Sequence, residues 1–438
     1  MTSLKLNHIK VKTRDLKIGM FVADVGRSWL RHPWKTKSKL ITSVDEIKEL
    51  LAHDIQEVVV DLSQCSKSVL RTDGILGLSS QEVSQALSIA PQEVSKQITR
   101  NMMISPPAKN IDQSRPKRLD QPRTDVSLQD ELPKARQTYA QALSVTKEFM
   151  NDLRSGKKIE IEKVQDAIED MIDSVFRNQG AISALLKLKN YDEYTFTHCL
   201  NVATLAISIG RQIPLTRQQL LDLGLGAIFH DIGKVRIPEE ILNKPARLTD
   251  SEFTVMKTHP ALGKEILQEQ HPGLSSIIYR MVRHHHERSD GSGYPDGIPD
   301  SDIDPFVTVC GLCDVYDALS SDRVYHKGML PHEALKVIFS LRGKHFSPTW
   351  TDRFVQSIGI YPPATVIKLN TGAVGVVMLV NTQALLKPEI LVIKDQKDRF
   401  LALPKHIDMN LSQHADLSIT AVVDPKRHGV DPSKYFGV

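Results

Sequence analysis

Along this chain the spacing of apolar residues changes character twice. From residue 8 to 62 the runs "HIKVKT", "GMFVAD" and "EVVVDL" carry the β-branched content of short strands. Between them, "SVDEIKELL" puts Ser43 three residues before Glu46, the capping-box opening of a short helix. Residues 1–64 therefore predict a small α+β unit, accessory or regulatory in character. From 134 to 358 the period becomes helical, with Val164, Ile168, Ile172 and Val175 three or four apart, and Val202, Leu205, Ala206 and Ile209 likewise. Thr249 with Glu252 forms a second capping box, and Ser347–Pro348 marks a third helix start. Beyond 362 the pattern shortens again. "ATVIKLNTGAVGVVMLVN", "EILVIKD" and "RFLALP" predict strands around a turn at Asn370–Gly372, a small β module over 363–438. No internal repeat is visible.

The span 65–133 breaks both patterns and is expected to be a flexible linker. Its segment "SPPAKNIDQSRPKRLDQPRTD", 105–125, has no aromatic residue, prolines at three separate sites and many charges. Such a sequence buries too little apolar surface to order itself. The fold class that follows is mostly α: an all-helical domain over 134–362, with a small α+β unit before it and a small β module after it.

Composition adds mainly exclusions. At 41% hydrophobic and 25% charged, the 438-residue chain is an ordinary globular sequence. A net charge of +4 argues against binding a nucleic-acid polymer. Four cysteines, Cys65, Cys199, Cys310 and Cys313, are too few and too scattered for a disulfide framework, which suits a reducing cytoplasm. The start "MTSLKLNHIK" lacks a signal peptide's apolar stretch, and the run at 373–380 is too short to span a bilayer. A soluble, cytoplasmic chain without a membrane contact is expected.

The chemistry concentrates in one stretch. Seven of the sixteen histidines fall between 198 and 286: His198, His230, His259, His271, His284, His285 and His286. A single histidine on an apolar face is usually a hydrogen-bonded core residue. Several on consecutive helices, with Asp231 and Asp314 beside them, are costly to bury without a common partner. A metal ion is such a partner, because imidazole and carboxylate together neutralise it. Neighbours on a helix diverge by about 100°, so His230 and Asp231 can reach two different ions in one cavity. Two ions about 3.5–4 Å apart clamp the attacking and leaving oxygens of a phosphoryl displacement. Lys234 follows one turn later, placed to neutralise charge in the transition state.

Four segments then match a family in order: "HDIGKVRIPEEILNKPARLT", "HP" at 259–260, "HHHERSDGSGYPDGI" and "CDVYDALSSDRVY". Over roughly 190–360 the chain resembles the bacterial HD-GYP phosphodiesterases, a branch of the HD hydrolase superfamily that cleaves cyclic di-GMP. The flanking units also resemble those that accompany this domain in some bacterial proteins. The resemblance implies metal ligands at His198, His230, Asp231, His259, His285, His286 and Asp314. It makes Lys234 and Asp231 catalytic and leaves His284 outside the ligand set. Arg323, Lys327, Asp290, Gly293, Tyr294 and Pro295 are the implied substrate contacts, with Gly291 and Gly293 letting backbone approach the site.

Two departures qualify the match. Tyr194 stands where members with a third ion have glutamate, with Glu193 one residue away, so two divalent ions, iron or manganese, are expected. His326 replaces the lysine three residues after the arginine, which leaves Lys327 as its substitute. "CGLC" at 310–313 reads as small core residues rather than a redox pair. The implied activity is hydrolysis of cyclic di-GMP to linear pGpG, which a second cut would take to GMP. The alternatives are another cyclic dinucleotide such as cyclic GMP-AMP, or a non-catalytic cyclic di-GMP receptor. A signalling protein at the GYP loop or the N-terminal unit, and a homodimer, are the protein contacts the sequence allows.

Overall fold

The structure, a computed structural model, describes residues 8–13, 16, 20–25, 38–61, 80–104, 126–186, 194–244, 248–321 and 328–436. The chain divides into two compact units, Met1–Ser88 and Ile89–Val438.

In the first unit, strands β1 (His8–Lys12), β2 (Phe21–Asp24), β3 (Lys39–Leu40) and β4 (Glu57–Asp61) form an antiparallel sheet ordered β1-β4-β2-β3. The helix α1 (Val44–Ala52) opens with the Ser43/Glu46 capping box. Its Leu50 packs with Val22, Val58, Val60, Ile41 and Ile55 in one apolar cluster. A further helix, α2 (Ser80–Ser88), closes the unit in sequence.

The second unit begins with α3 (Pro91–Ile104). The expected flexible linker over 65–133 is therefore corrected where the structure describes it: α2, α3 and the start of α4 (Leu128–Arg154) are helical. Val94 and Ile98 recur at helical spacing and are buried, while Asn101 donates to Asp352 at 2.9 Å. Arg342 grips the same carboxylate through two bonds of 2.8 and 2.9 Å. The segment 105–125 lies outside the described residues. Ser127 caps α4, accepting from the Asp130 N–H at 3.2 Å. Pro133 sits inside this helix and removes one backbone donor. Burial of Leu132 and Ala135 offsets that loss, as does the buried Glu131 carboxylate, which accepts from Ser174 and Arg177.

Helices α5 (Ile161–Arg177), α6 (Gln179–Leu185), α7 (Tyr194–Gly210) and α8 (Arg217–Phe229) follow. Along α8 every residue from Leu220 to Phe229 is buried, so the helix has no solvent face to break. Short α9 (Glu239–Leu242) and α10 (Asp250–Met256) lead to α11 (His259–Gln270), α12 (Ser276–His284), α13 (Pro305–Ser320), α14 (Pro331–Ser340) and α15 (Pro348–Ile358). The Thr249/Glu252 capping box and the Ser347–Pro348 start both form as the sequence predicts.

Strands β5 (Val366–Leu369), β6 (Val374–Leu379), β7 (Glu389–Lys394), β8 (Phe400–Asp408) and β9 (Ile419–Val422) build an antiparallel sheet ordered β8-β7-β6-β5-β9. The predicted turn at Asn370–Gly372 joins β5 to β6, with Val366 opposite Val376. The architecture is thus largely helical with a small sheet towards each end. No helix among the described residues is long and apolar enough to cross a membrane.

Candidate metal centre

Helix ends deliver the site. His230 terminates α8, His259 opens α11 and His285 terminates α12. Each turns its Nδ1 onto the carbonyl three residues back: Ala227 at 2.7 Å, Met256 at 2.8 Å and Val282 at 2.9 Å. A carbonyl accepts only, so Nδ1 carries the proton and, in the neutral ring, Nε2 is left with its lone pair. The Nε2 atoms of His259 and His285 face each other at 3.4 Å. Two such lone pairs repel unless a cation lies between or beside them.

Asp231 sits at the middle. Its Oδ1 is 3.2 Å from His259 Nε2 and 3.9 Å from His285 Nε2. Its Oδ2 is 3.3 Å from His230 Nε2 and 3.7 Å from His198 Nε2. Two sets of ligand atoms result, each within a 4.8 Å span: Asp231 with His259, His285 and His286, and Asp231 with His198 and His230. Asp314 on α13 reaches towards both, with Oδ1 3.2 Å from His198 Nε2 and Oδ2 3.7 Å from His286 Nδ1. All seven ligand positions expected from the sequence converge here. His271 and His284 belong to neither set. His284 instead pairs with Asp296 at 2.9 Å.

Residues 232–236 form a 3₁₀ turn, three residues per turn. It therefore brings Lys234 back over Asp231, with Nζ 2.5 Å from Oδ2. Gly233 between them lets the turn lie against α11. A Cβ there would stand 1.9 Å from the His259 carbonyl oxygen.

The electrostatics favour a cation. Burial pushes the Asp231 carboxyl up, but Lys234 and His230 outweigh it and hold it well below the usual range. Burial likewise raises Asp314, and the bond to His198 reverses that. His285 and His286 are driven well down, first by burial and then by neighbouring imidazoles, so both stay neutral with a lone pair to give. Burial lowers His198 too, but Asp314 and Asp317 push it up to about 9. A proton at its Nε2 and a metal ion there meet the same need, positive charge beside two carboxylates. Buried Nε2 of His230 and Oδ1 of Asp231 make no hydrogen bond, which a ligand role satisfies. The donor set fits divalent ions.

Against the cluster lies the loop 287–298. Tyr294 stacks on His286 at 4.6 Å between centroids and stands 6.5 Å from His259. The expected substrate role of Asp290 meets a different set of contacts: its carboxylate accepts from the N–H and hydroxyl of Ser292 and lies 3.7 Å from His345. Gly293 lies where the loop packs on its own stem. A Cβ there would meet Glu287 Cα at 2.4 Å and Arg288 N at 2.5 Å, so the glycine serves the loop's approach to its own stem. Arg323, Lys327 and Glu193 lie outside the described residues, as does the side chain of Tyr194.

Sequence reasoning missed Glu287. Its carboxylate accepts backbone N–H groups from Asp296 (2.8 Å), Gly297 (3.1 Å) and Ile298 (3.3 Å). Replacing it by alanine leaves three donors without their acceptor, at a cost of about 1–3 kcal/mol. The expected result is faster amide exchange at 296–298 with metal content retained; unchanged exchange rates would contradict the latch.

Comparison with known proteins shows the family. The HD domain family matches residues 166–350, a KOW domain associated with HD domains matches 366–430, and a domain of unknown function, DUF3391, matches 8–164. Over 408 residues the chain is 31% identical to the cyclic di-GMP phosphodiesterase PA4108 of Pseudomonas aeruginosa, covering 93% of this chain and 90% of that one. It is 30% identical over 203 residues to the cyclic di-GMP phosphodiesterase response regulator RpfG of Xanthomonas campestris pv. campestris, 46% of this chain and 54% of that one. Over 146 residues it is 34% identical to the 3'3'-cGAMP-specific phosphodiesterase 1 of Vibrio cholerae, 33% of each chain. The helical region is thus an HD hydrolase domain. The chain belongs to the HD-GYP family of cyclic di-GMP phosphodiesterases.

Proposed function

We propose that this chain hydrolyses cyclic di-GMP to linear pGpG at the histidine–aspartate centre, using two divalent ions. The observation that carries the reading is the single carboxylate of Asp231 shared by two ligand sets. The similarity to PA4108 along nearly the whole chain supports the substrate. His198, His230, Asp231 and Asp314 would hold one ion, and His259, His285 and His286 with Asp231 the second. When bound, such ions polarise the phosphodiester and make water a stronger nucleophile. The nitrogen and oxygen donor set, without sulfur, suits iron or manganese.

The chain's own groups then bind and orient the substrate. Lys234, part-exposed beside Asp231, offers an ammonium to the phosphoryl oxygens as their charge grows. Tyr294 covers the His286 ring and keeps water from that side. Arg323 and Lys327 are proposed as phosphate contacts on the "SSDRVYHK" motif alone. Lys234→Ala should lower kcat by roughly 10²–10³-fold, the usual loss for one preorganised charge-stabilising donor, with bound metal unchanged.

The direct test is turnover of cyclic di-GMP by anaerobically purified full chain, before and after chelation and after return of manganese or iron. Linear product that disappears with the metal and returns with it supports the reading. Metal-loaded chain that leaves cyclic di-GMP intact overturns it, and parallel assay of 3'3'-cGAMP then separates a different substrate from a receptor.

A further inference from the structure

We propose that Asp317 is a positioning residue for His198, held in place by Asn201 and Tyr139, and that this buried relay sets how tightly the ligand set containing His198 holds its ion. The inference rests on the metal-centre reading above and concerns residues outside both ligand sets.

The four most deeply buried imidazoles of the centre, His198, His230, His259 and His285, are not oriented alike. His230, His259 and His285 stand at helix ends and use their own backbone carbonyls, an arrangement local geometry supplies. His198 lies inside α7, where carbonyls one turn back already accept helical N–H groups. Its Nδ1 meets a charged acceptor from another helix instead, Asp317 Oδ2 at 2.7 Å. A carboxylate there fixes the tautomer and ring plane and makes the opposite nitrogen a stronger donor to a metal.

The carboxylate is itself locked. Asp317 Oδ1 accepts from Asn201 Nδ2 at 2.8 Å, and Asn201 Oδ1 accepts from Tyr139 Oη at 2.9 Å. The tyrosine hydroxyl, by donating, decides which end of the amide faces Asp317. All three residues are buried. Asp314, one turn before Asp317 on α13, faces Nε2 of the same ring at 3.2 Å. One helix therefore grips His198 from both nitrogens, orienting with one carboxylate and contributing to the ligand set with the other.

The test compares the full chain with Asp317→Asn and Tyr139→Phe, stripped of metal and equilibrated against buffered manganese, with ions bound per chain counted at each concentration. In Asp317→Asn, half-saturation of one manganese equivalent should move about 10–100-fold to higher concentration while the other stays. Tyr139→Phe should move the same equivalent in the same direction by less, and it carries the test alone if Asp317→Asn does not fold. The melting temperature of the metal-stripped chain is the control for a purely structural role. The proposal is overturned if both equivalents keep wild-type affinity, or if both shift equally together with that melting temperature. Wild-type chain that binds no manganese instead overturns the metal-centre reading on which this one stands.

Discussion

Asp231→Ala is expected to abolish turnover and to empty both ligand sets. The carboxylate lies within 3.9 Å of four imidazoles, with Oδ1 towards His259 and His285 and Oδ2 towards His230 and His198. Removing it takes the shared anionic group from both ligand sets at once and leaves Lys234 without its partner. Losing several kcal/mol of charge stabilisation corresponds to about 10³-fold or more in rate. Metal quantification and product analysis on one sample check this. A variant that still held two ions and turned over would exclude the shared-carboxylate geometry.

Gly233→Ala should be nearly as severe, though Gly233 ligates nothing. The added methyl would fall 1.9 Å from the His259 carbonyl oxygen and 2.5 Å from the Gly263 backbone nitrogen. Both are backbone atoms, so no side-chain rotation relieves the clash, and the 3₁₀ turn must separate from α11. Overpacking of this kind costs about 3 kcal/mol, or roughly 6–12 °C in Tm for a domain of this size. Because Asp231 and Lys234 flank the glycine and His259 opens α11, metal content should fall further than stability alone predicts. Wild-type Tm with full metal content in this variant would show that the close crossing does not exist.

Much of the site is legible in the chain because its chemistry is carried by residue type and local spacing. The adjacent His230–Asp231, the histidine triplet and the "DGSGYP" register point to four of the seven converging positions before any fold is known. The capping boxes at Ser43 and Thr249 are legible for the same reason, since both partners sit within one turn. Helix α3, inside the expected linker, is harder to read because it is amphipathic but polar on balance. Its Val94 becomes meaningful only once α14 and α15 give it something to cover.

By itself, then, the sequence determined the helical period of the catalytic region, the residue types gathered at the site and the family to which the chain belongs. Only the tertiary structure decided which groups support them. Asp317 meets His198 across 119 positions of sequence, Tyr139 meets Asn201 across 62, and Gly233 touches α11 through backbone atoms that no side-chain pattern records. Local spacing reports faces and caps within a turn or two. Hydrogen-bond partners from separate helices, and the distance between two backbones, are set by how whole helices pack.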